Sequence, residues 1–444
     1  MEPKYIVAIE IGSSHIKIAI GTVDNDGVLS LLGIESDQAV EIVRYGNIQN
    51  VDDVSNRIKS LIRKLENHTN VSPRKIKGVY ISVGGRSTMT TTRQVMRQYN
   101  DEVEITSKII DQIKDEAKQM GLSDRTVLDV SPREFVVDNL ECPNPVGTIG
   151  TTLRADMNLV TCRPKVLRNF DIVVNERQQL SIKGTFVRQN VIADFVLTPD
   201  ERALGCMLVD FGAETTTVSV YKSSSLRYLA TLPIGSRNIT RDIMSLKFTE
   251  DRAEELKRVI GDAVNTDPDY RRADFDGDAI EINDYIRARA GEIALNIVEQ
   301  AKFAGYKLSS DLPGGIILVG GGAKLKQFTS LLSEQSGVKV RLGAIPSTVR
   351  ITDTRHQSFD NIDIIALLSA AARNPIECTE LAVIPQPEQP ATDPFKEPGG
   401  GPKPKSKPKK EQDNSPKKPG TLSKLFGRFR EWTDSSFDDN DDDE

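Results

Sequence analysis

Residues 6–14 read Ile6-Val7-Ala8-Ile9-Glu10-Ile11-Gly12-Ser13-Ser14, and residues 207–215 repeat the pattern as Met207-Leu208-Val209-Asp210-Phe211-Gly212-Ala213-Glu214-Thr215. Each copy has an acidic residue near the end of an apolar run and a glycine two residues later. Alternating apolar residues follow each turn, at Ile16, Ile18 and Ile20 in the first copy and at Val218 and Val220 in the second. Each copy is therefore predicted to be a β-hairpin, and the joint recurrence of acid and glycine indicates a duplication.

The two predicted turns carry the residue types that bind a phosphate chain and its cation. Glycine lets backbone N–H groups approach a ligand closely, and a hydroxyl such as that of Ser13 adds a donor. The carboxylates of Glu10 and Asp210 can hold a metal ion or its water ligands. Two such turns facing each other across a cleft would hold a Mg²⁺-bound polyphosphate from both sides. Taken singly, either glycine is also explained by ordinary turn chemistry.

A third stretch supports this interpretation. Residues 314–323 read Gly314-Gly315-Ile316-Ile317-Leu318-Val319-Gly320-Gly321-Gly322-Ala323, which predicts a buried strand that runs into three glycines, with a helix from Lys324. Backbone without side chains at a strand end lets a flat ring or a sugar lie against it, and a helix N-terminus favours negative charge. On its own this motif has little specificity.

In this order, the three segments resemble the two phosphate loops and the adenosine loop of the actin, Hsp70 and sugar-kinase ATPase superfamily. The bacterial FtsA family is the closer resemblance. It rests on three stretches: Ala203-Leu204-Gly205-Cys206-Met207-Leu208-Val209-Asp210-Phe211-Gly212, Leu232-Pro233-Ile234-Gly235-Ser236-Arg237-Asn238-Ile239-Thr240-Arg241-Asp242-Ile243, and Ala253-Glu254-Glu255-Leu256-Lys257. The resemblance covers most of residues 5–375 and, after a gap, the last two dozen residues.

This resemblance implies an α/β, actin-like (ribonuclease H-like) duplicated ATPase fold, with two large domains around a nucleotide cleft. It also implies an FtsA-type inserted subdomain and a disordered C-terminal linker that ends in an amphipathic helix. The implied boundaries are 1–83 and 166–204 for subdomain 1A, 84–165 for the inserted subdomain 1C, 205–245 and 313–384 for subdomain 2A, 246–312 for subdomain 2B, 385–420 for the linker, 421–433 for the helix and 434–444 for an acidic tail.

ATP and Mg²⁺ are the cofactors that the resemblance implies, with Glu10 and Asp210 positioning the metal, through water, and the attacking water. The expected nucleotide-binding residues are Gly12, Ser13, Ser14, Lys17, Gly212, Ala213, Glu214, Thr215, Gly235, Glu254, Lys257, Gly320, Gly321 and Gly322. Lys17 matches a phosphate-contacting lysine of relatives, although an exposed strand lysine would look the same. Glu254 and Lys257 match residues beside ribose and adenine, or form an ordinary i, i+3 surface pair.

Two departures from the superfamily pattern bear on hydrolysis. Glu10 stands where aspartate is usual, which extends the carboxylate by about one bond length. Ala213 and Glu214 stand where two glycines are frequent, and a carboxylate beside a triphosphate repels it unless it is turned away. Phosphoryl transfer depends on accurate placement of water and metal, so we expect binding to survive and any ATP turnover to be slow.

Composition favours a large cytosolic protein of several domains. The chain has 444 residues, and its four cysteines show no paired spacing, so a zinc site or a disulfide framework is not expected. No apolar stretch is long enough to span a bilayer and no signal-peptide pattern is present. Helices are predicted at 52–65, 105–120 (capped by Thr106), 249–260 and 282–304, and strands at 76–83, 90–99 and 134–137. The alternating aspartates of 267–278 are predicted to form a solvated turn rather than a calcium loop.

The C-terminal region changes character twice. Residues 385–420 are rich in proline and lysine and have almost no apolar content, which predicts a disordered linker. A helix over residues 421–433 would place its large apolar side chains within an arc of about 120°, flanked by basic ones. The apolar residues are Leu422, Leu425, Phe426, Phe429 and Trp432, and the basic ones are Lys424, Arg428 and Arg430. This pattern favours an anionic membrane surface over a partner groove or the protein's own body. The FtsA family ends in such a helix, whereas the acidic tail that follows here would weaken its membrane affinity.

The resemblance implies an ATP-binding cell-division protein that anchors FtsZ filaments to the cytoplasmic face of the cell membrane, polymerises there and helps assemble the septum with other division proteins. Arg289 and Glu292 match the helix that contacts the FtsZ C-terminal peptide, although an ordinary exposed helix face would look the same. We expect no nucleic-acid partner. The alternatives are a small-molecule kinase, for which no catalytic aspartate stands out, and a pilus-assembly or chaperone-type ATPase.

Overall fold

The computed structural model describes residues 2–120, 122–264 and 279–382. The strands are β1 Lys4–Ile11, β2 His15–Val23, β3 Leu29–Gln38, β4 Val43–Arg44, β5 Asn47–Ile48, β6 Arg74–Ile76, β7 Gly78–Val83, β8 Met89–Glu104, β9 Thr126–Val137, β10 Leu140–Glu141, β11 Ile149–Cys162, β12 Ser181–Val187, β13 Cys206–Phe211, β14 Thr216–Lys222, β15 Ser225–Leu232, β16 Ile316–Val319, β17 Val340–Leu342, β18 Arg350–Ile351 and β19 Thr379–Leu381.

The helices are α1 Val51–Glu66, α2 Ser107–Gln119, α3 Pro164–Asp171, α4 Arg188–Val196, α5 Pro199–Leu204, α6 Ser236–Met244, α7 Glu250–Val259, α8 Ala279–Phe303, α9 Leu308–Asp311, α10 Phe328–Ser336 and α11 Ile362–Ala372. A π-helical turn covers Ile172–Glu176, and 3₁₀ turns cover Gly321–Lys324, Thr354–His356 and Phe359–Asn361. Within the described ranges, no helix is both long and apolar enough to cross a membrane.

The two predicted hairpins are confirmed, and each starts a sheet of the same topology. Strands β1 and β2 pair antiparallel with Glu10 opposite Lys17, and β13 and β14 pair antiparallel with Asp210 opposite Thr217. The strand order β3-β2-β1-β7-β12 in the first sheet corresponds to β15-β14-β13-β16-β17 in the second, and β18 extends the first sheet beside β3. In each sheet the hairpin's first strand continues into parallel pairing. The duplication seen in the sequence is therefore a duplication of sheet topology.

Both hairpins are held by apolar side chains on both faces. All of β13 is buried, and the residues of β1 from Ile6 onwards are buried as well, because helices cover the sheets on each side. The long helix α8, predicted from Ile282, packs onto the second sheet with Ile286, Ile293 and Ile297 fully buried. Helix α4 leads from the first sheet towards the second and packs against α11. The starts of α4 and α11 thereby lie near the ends of β1 and β13.

A separate four-stranded sheet, in the order β10-β9-β11-β8, lies between β7 and α3 in the chain. Helix α2 packs on it around Ile113, which is fully buried, and this small core is distinct from those of the two large sheets. Thr106 caps α2 by accepting from the N–H of Ile109, as predicted. The subdomain boundaries given above remain predictions.

Two predicted elements differ from the observed ones. The predicted strand 76–83 is two strands, because the N–H groups of Lys77 and Gly78 donate to the carbonyl of Cys378 while β6 pairs with β19 and β7 with β1. The predicted start of the helix at Lys324 is wrong, because a 3₁₀ turn ends at Lys324 and α10 begins at Phe328. Lys326 forms a parallel bridge with Asp262, so this stretch is extended instead of helical.

The acidic loop 267–278, the linker, the amphipathic helix with its apolar and basic residues, and the acidic tail all lie outside the described residues. Those interpretations stay predictions.

Candidate functional site

A cavity of about 780 Å³ lies where the two hairpin turns and the three-glycine stretch meet. It is lined by Glu10 and Asp210 and by all but one of the predicted nucleotide-binding residues. These are Gly12, Ser13, Ser14, Lys17, Gly212, Ala213, Glu214, Thr215, Glu254, Lys257, Gly320, Gly321 and Gly322. The residues that the sequence pattern singled out in the two halves of the chain therefore lie together at one cleft.

The two turns present backbone donors in the same way. The N–H groups of Gly12 and Gly212 close the turns by donating to the carbonyls of His15 and Thr215, each at 2.9 Å. The N–H groups after each glycine, including those of Ser13 and Ala213, have no acceptor among the described residues. A phosphate oxygen would therefore meet the amides that follow the glycines, whereas the glycine amides themselves are already bonded.

The two predicted metal-binding carboxylates lie on either side of one guanidinium. Arg188, the first residue of α4, bonds Glu10 through Nη1, and its Nε lies 3.3 Å from Oδ2 of Asp210. Its Nη2 lies 3.4 Å from Oδ2 of Asp363, at the start of α11. Glu10 and Asp210 are thus close to one another, as the sequence predicted, but they share a cation that the sequence did not reveal.

Burial dominates the electrostatics of this cluster. Burial raises the pKa of Glu10 to about 7, an increase that Arg188 opposes and Asp363 reinforces. Burial acts in the same direction on Asp363, but there the positive charges of Lys17 and Arg188 prevail and the pKa is lowered. Burial and the neighbouring charges thus shift the pKa values of Glu10 and Asp363 in opposite directions.

Lys17 points into the cleft and is already paired. Its Nζ lies 2.8 Å from both carboxylate oxygens of Asp363 and also donates to the carbonyl of Asp360. With a side chain only 13% exposed, it is not the exposed strand lysine of the alternative interpretation. To contact a phosphate, Lys17 would have to break its ion pair with Asp363, or keep it while also donating to a phosphate oxygen.

Glu214 lies in the second turn with its side chain turned into the protein. One oxygen lies 3.2 Å from Nη1 of Arg237 and 3.3 Å from Nη2 of Arg241, both on α6. The other accepts from the backbone N–H of Tyr45 at 2.9 Å. The predicted repulsion of a triphosphate by this carboxylate is thus relieved, because the guanidinium groups of Arg237 and Arg241 neutralise it, together with that of Arg44 at 3.7 Å.

Gly235 is the one predicted nucleotide-binding residue that does not line the cavity, and its contact with a ligand stays a prediction. It lies at the N-terminus of α6, where a Cβ would come within 2.4 Å of the carbonyl oxygen of Ala213. Without a side chain here, the N–H groups of Ser236 and Arg237 reach the carbonyls of Gly212 and Ala213 at 3.0 and 2.7 Å. Gly235 therefore supports the second turn from behind.

The three glycines after β16 have different surroundings. Gly320, at φ +89°, would place a Cβ 2.5 Å from Oδ1 of Asp210, and Gly322 would place one 2.7 Å from the ring of Phe211. Gly321 has no atom within 4 Å of that position. Gly320 and Gly322 thus permit close packing against β13, and Gly321 faces open space where a ligand could lie.

Glu254 and Lys257 form the predicted i, i+3 pair on α7, at 2.6 Å, and both line the cavity. Lys257 is 8% exposed and donates to Oγ1 of Thr240 at 2.8 Å. Burial lowers the pKa of Lys257, which Glu254 opposes. The pair joins α7 to α6 as well as lining the cleft, so it is not an ordinary surface pair.

Comparison with known proteins supplies the family. The family described as "Cell division protein FtsA" matches residues 207–362, and the one described as "SHS2 domain inserted in FTSA" matches residues 85–161. The cell division protein FtsA of Porphyromonas gingivalis is 30% identical over 355 residues, which cover 76% of this chain and 73% of that protein. The chain belongs to the FtsA family.

Other relatives agree with this assignment. FtsA of Escherichia coli strain K12 is 26% identical over 80% of this chain and 88% of its own length. A solved structure titled "PilM-PilN type IV pilus biogenesis complex" superposes with a TM-score of 0.62 at 16% identity, over 83% of this chain and 99% of that chain. At that identity the structural match shows the fold alone. The actin-like fold is confirmed, and the family is that of an actin-like cell-division protein.

The residues predicted to bind FtsZ are on the expected helix of this FtsA family member, but they are not free side chains. On α8, Nε of Arg289 lies 2.6 Å from Oδ2 of Asp242, and its Nη1 donates to Glu292. Arg289 is therefore fixed between α6 and its own helix. Binding of a partner peptide at these residues stays a prediction.

Arg188 and Asp363 were missed, although both line the cleft of this FtsA family member. Each is the first or second residue of a helix that the sequence analysis did not delineate. Asp363 precedes the apolar run 364–372, and an acidic residue in a helix's first turn was the available signal. For Arg188 no local signal exists, because its partners come from β1, β13 and α11.

The cleft fits a magnesium nucleotide. Its volume suits a ligand of that size, and it offers backbone N–H donors from both turns and an open face at Gly321. Glu10 and Asp210 are the oxygen donors that a hard divalent cation prefers, mostly through water. Within the described ranges no three acidic, histidine or cysteine side chains form a direct metal site.

Proposed function

We propose that this protein binds ATP and Mg²⁺ in the cleft, and that it anchors FtsZ filaments to the cytoplasmic face of the cell membrane through its C-terminal helix. It acts as an adaptor: it polymerises on the membrane and helps to assemble the division septum with other division proteins. The observation that carries the nucleotide part is the meeting of both hairpin turns and the glycine stretch at one cavity.

Different residues of the chain would contact different parts of the bound nucleotide. Amides after Gly12 and Gly212 would donate to phosphate oxygens from opposite sides, and Gly321 would leave space for the nucleoside. Glu10 and Asp210 would hold Mg²⁺, which when bound neutralises phosphate charge. Glu254 and Lys257 would border the nucleoside from α7.

Any ATP hydrolysis by this protein should be slow. The carboxyl of Glu10 is bonded to Arg188, and an oxygen held by a guanidinium is poorly placed to take a proton from water. Hydrolysis needs water held in line with the leaving phosphate, which this arrangement does not favour. ATP would therefore act mainly by selecting a conformation competent for self-association.

Family membership supports the FtsZ and membrane parts, together with the amphipathic pattern of residues 421–433. A single short helix with partly buried apolar side chains binds a membrane weakly and reversibly. Polymerisation would present many helices to one surface and make binding strong through effective concentration. Arg289 and Glu292 on α8 are the proposed contacts for the FtsZ peptide.

Vesicle co-sedimentation tests this function. The full chain is compared with a truncation after Gly420 and with one after Thr433, which removes only the acidic tail. Vesicles contain phosphatidylglycerol and phosphatidylethanolamine, with and without ATP and FtsZ. We expect the full chain and the Thr433 truncation to pellet and to carry FtsZ with them, whereas the Gly420 truncation stays in solution.

Equal pelleting of all three forms would overturn the anchor. For the FtsZ contact, Arg289→Gln should reduce FtsZ recovery, while Lys302→Gln, at an exposed i, i+3 pair on the same helix, should not. FtsZ recovery that is unaffected by Arg289→Gln would remove that residue from the contact.

A further inference from the structure

The guanidinium of Arg188 stands where a cation is expected. It bonds Glu10 through Nη1 and lies 3.3 Å from Asp210 through Nε, the two carboxylates assigned to Mg²⁺. Both are buried, with side chains 3% and 9% exposed. Burying two carboxylates side by side is costly unless a positive charge lies between them. Here the chain itself supplies that charge.

One N–H group of Arg188 has no hydrogen-bond acceptor among the described residues. Its Nε is buried and forms no hydrogen bond in the described part of the chain, since the Asp210 contact has ion-pair distance without hydrogen-bond alignment. A buried guanidinium N–H without an acceptor is rare. Nε therefore belongs to the buried ion cluster beside Asp210.

The position of Arg188 connects the two halves. Glu10 and Asp210 are the penultimate residues of β1 and β13, while Arg188 begins the helix that leads from the first sheet towards the second. A cation at this point therefore holds the ends of both hairpins together. Mg²⁺ bound to a nucleotide would bring the same sign of charge to the same two carboxylates.

We propose that Arg188 replaces the charge of Mg²⁺ between Glu10 and Asp210 when no metal is bound, and so makes ATP binding less dependent on the metal. This deepens the proposed function and rests on ATP binding in this cleft. Arg188 acts as a positioning residue: it neutralises the two carboxylates that would otherwise repel the phosphates.

The test measures one ratio, the Kd for ATP in EDTA divided by the Kd in excess Mg²⁺, by calorimetric titration of the full chain. Arg188→Gln removes the charge but keeps an amide of similar reach. Without the guanidinium, ATP in EDTA meets unscreened negative charge at the pair of Glu10 and Asp210, so we expect the ratio to rise by at least about tenfold. Arg188→Lys keeps the charge but not the fork that reaches three carboxylates, so its ratio should lie between those of the wild type and Arg188→Gln.

Arg258→Gln is the matched control. Arg258 is exposed, lines the same cavity and lies on α7, so solvent screens its charge and its removal should change the ratio by less than about threefold. Both Kd values in the ratio are measured on the same variant, so a general loss of stability affects both and leaves their ratio unchanged. A purely structural arginine would weaken both arms equally.

Should Arg188→Gln not fold, Glu10→Gln is compared with the double variant Glu10→Gln/Arg188→Gln, in which both partners of the buried pair are neutral. The ratio of the double variant should again exceed that of the single one by about tenfold. A ratio unchanged by removal of Arg188, in a protein that binds ATP, overturns this inference alone. Absence of ATP binding by the wild-type chain in both arms overturns the proposed function and this inference with it.

Discussion

Glu214 shows how one buried charge supports a turn. Its carboxylate is 1% exposed and neutralises Arg237 and Arg241 on α6 while it accepts from the amide of Tyr45. Tyr45 lies between β4 and β5, near the first hairpin, and Glu214 lies in the second. The residue that seemed to oppose a triphosphate therefore links the loops of both halves.

Glu214→Gln should destabilise the protein. The amide keeps the volume and the bond from Tyr45, but it removes the buried negative charge shared by Arg237 and Arg241 and leaves Arg237 with the partly exposed Glu250, 3.4 Å from its Nε. We expect a loss of about 3 kcal/mol in the free energy of unfolding, from denaturant titration. Glu299→Gln, at an exposed pair with Lys302, should cost less than about 0.5 kcal/mol. Similar losses in the two variants would show that Glu214 is no more than a surface charge.

Because of Glu10, we expect the stability of the metal-free and nucleotide-free protein to depend on pH. Burial raises its pKa to about 7 from an ordinary value of 4.5, against the pull of Arg188 and Lys17. The folded state thus binds this proton more tightly than the unfolded state. The resulting stability is fully present below pH 4.5 and is lost as the pH rises through 7.

Between pH 5 and 8, wild-type stability should therefore fall relative to Glu10→Gln, by at most about 3 kcal/mol. Thermal unfolding across this range measures the difference. Parallel curves for the two proteins would mean that the carboxyl of Glu10 stays ionised in the folded state and that Arg188 outweighs burial.

At the scale of elements, the glycine stretch after β16 separates packing from ligand contact. Phe211 is fully buried and packs on Phe328 with ring centroids 4.7 Å apart, so its ring cannot retreat from a new methyl group at Gly322. The position of Gly321 has no such neighbour. Two adjacent glycines therefore have different reasons to be glycine.

Gly322→Ala should lower the free energy of unfolding by about 1–3 kcal/mol because it overpacks the Phe211 ring. Gly321→Ala should leave stability within about 0.5 kcal/mol and should weaken ATP binding severalfold, since its methyl group enters the cleft. Denaturant titration and calorimetric ATP titration measure the two effects. If Gly321→Ala binds ATP as well as the wild type does, that face of the cavity does not contact the nucleotide.

The helices and strands that were predicted correctly are those that depend on residues close together in the sequence. Both hairpins follow from alternating apolar residues, and α2 follows from its period and the Thr106 cap. The helix start at Lys324 failed because the chain there is held extended by Asp262, which is distant in sequence. The position of Gly235 behind the second turn, and the cation at Arg188, likewise depend on contacts between separate elements. Local pattern located the carboxylates but not what neutralises them.

At the scale of the molecule, the matched order of the two sheets explains why the site is bipartite. Each sheet ends a buried strand in a carboxylate and a tight turn, and α4 leads from one sheet towards the other. A ligand that binds both turns must respond to both halves at once. The inserted sheet has its own core, and none of its strands lines the cavity, although Gly84, Gly85 and Thr88 do so in the segment between β7 and β8.

Hydrogen exchange with and without Mg²⁺-ATP tests this bipartite arrangement. The amides that follow Gly12 and Gly212 have no acceptor among the described residues, so they should exchange quickly in the free protein and slow down together when phosphates accept from them. Peptides covering 10–17, 210–217 and 319–324 should gain protection, whereas peptides from β9 to β11 serve as the internal control. Protection confined to one hairpin would mean that ATP binds one half only, and the coupling of the two halves through the cleft would then have to be abandoned.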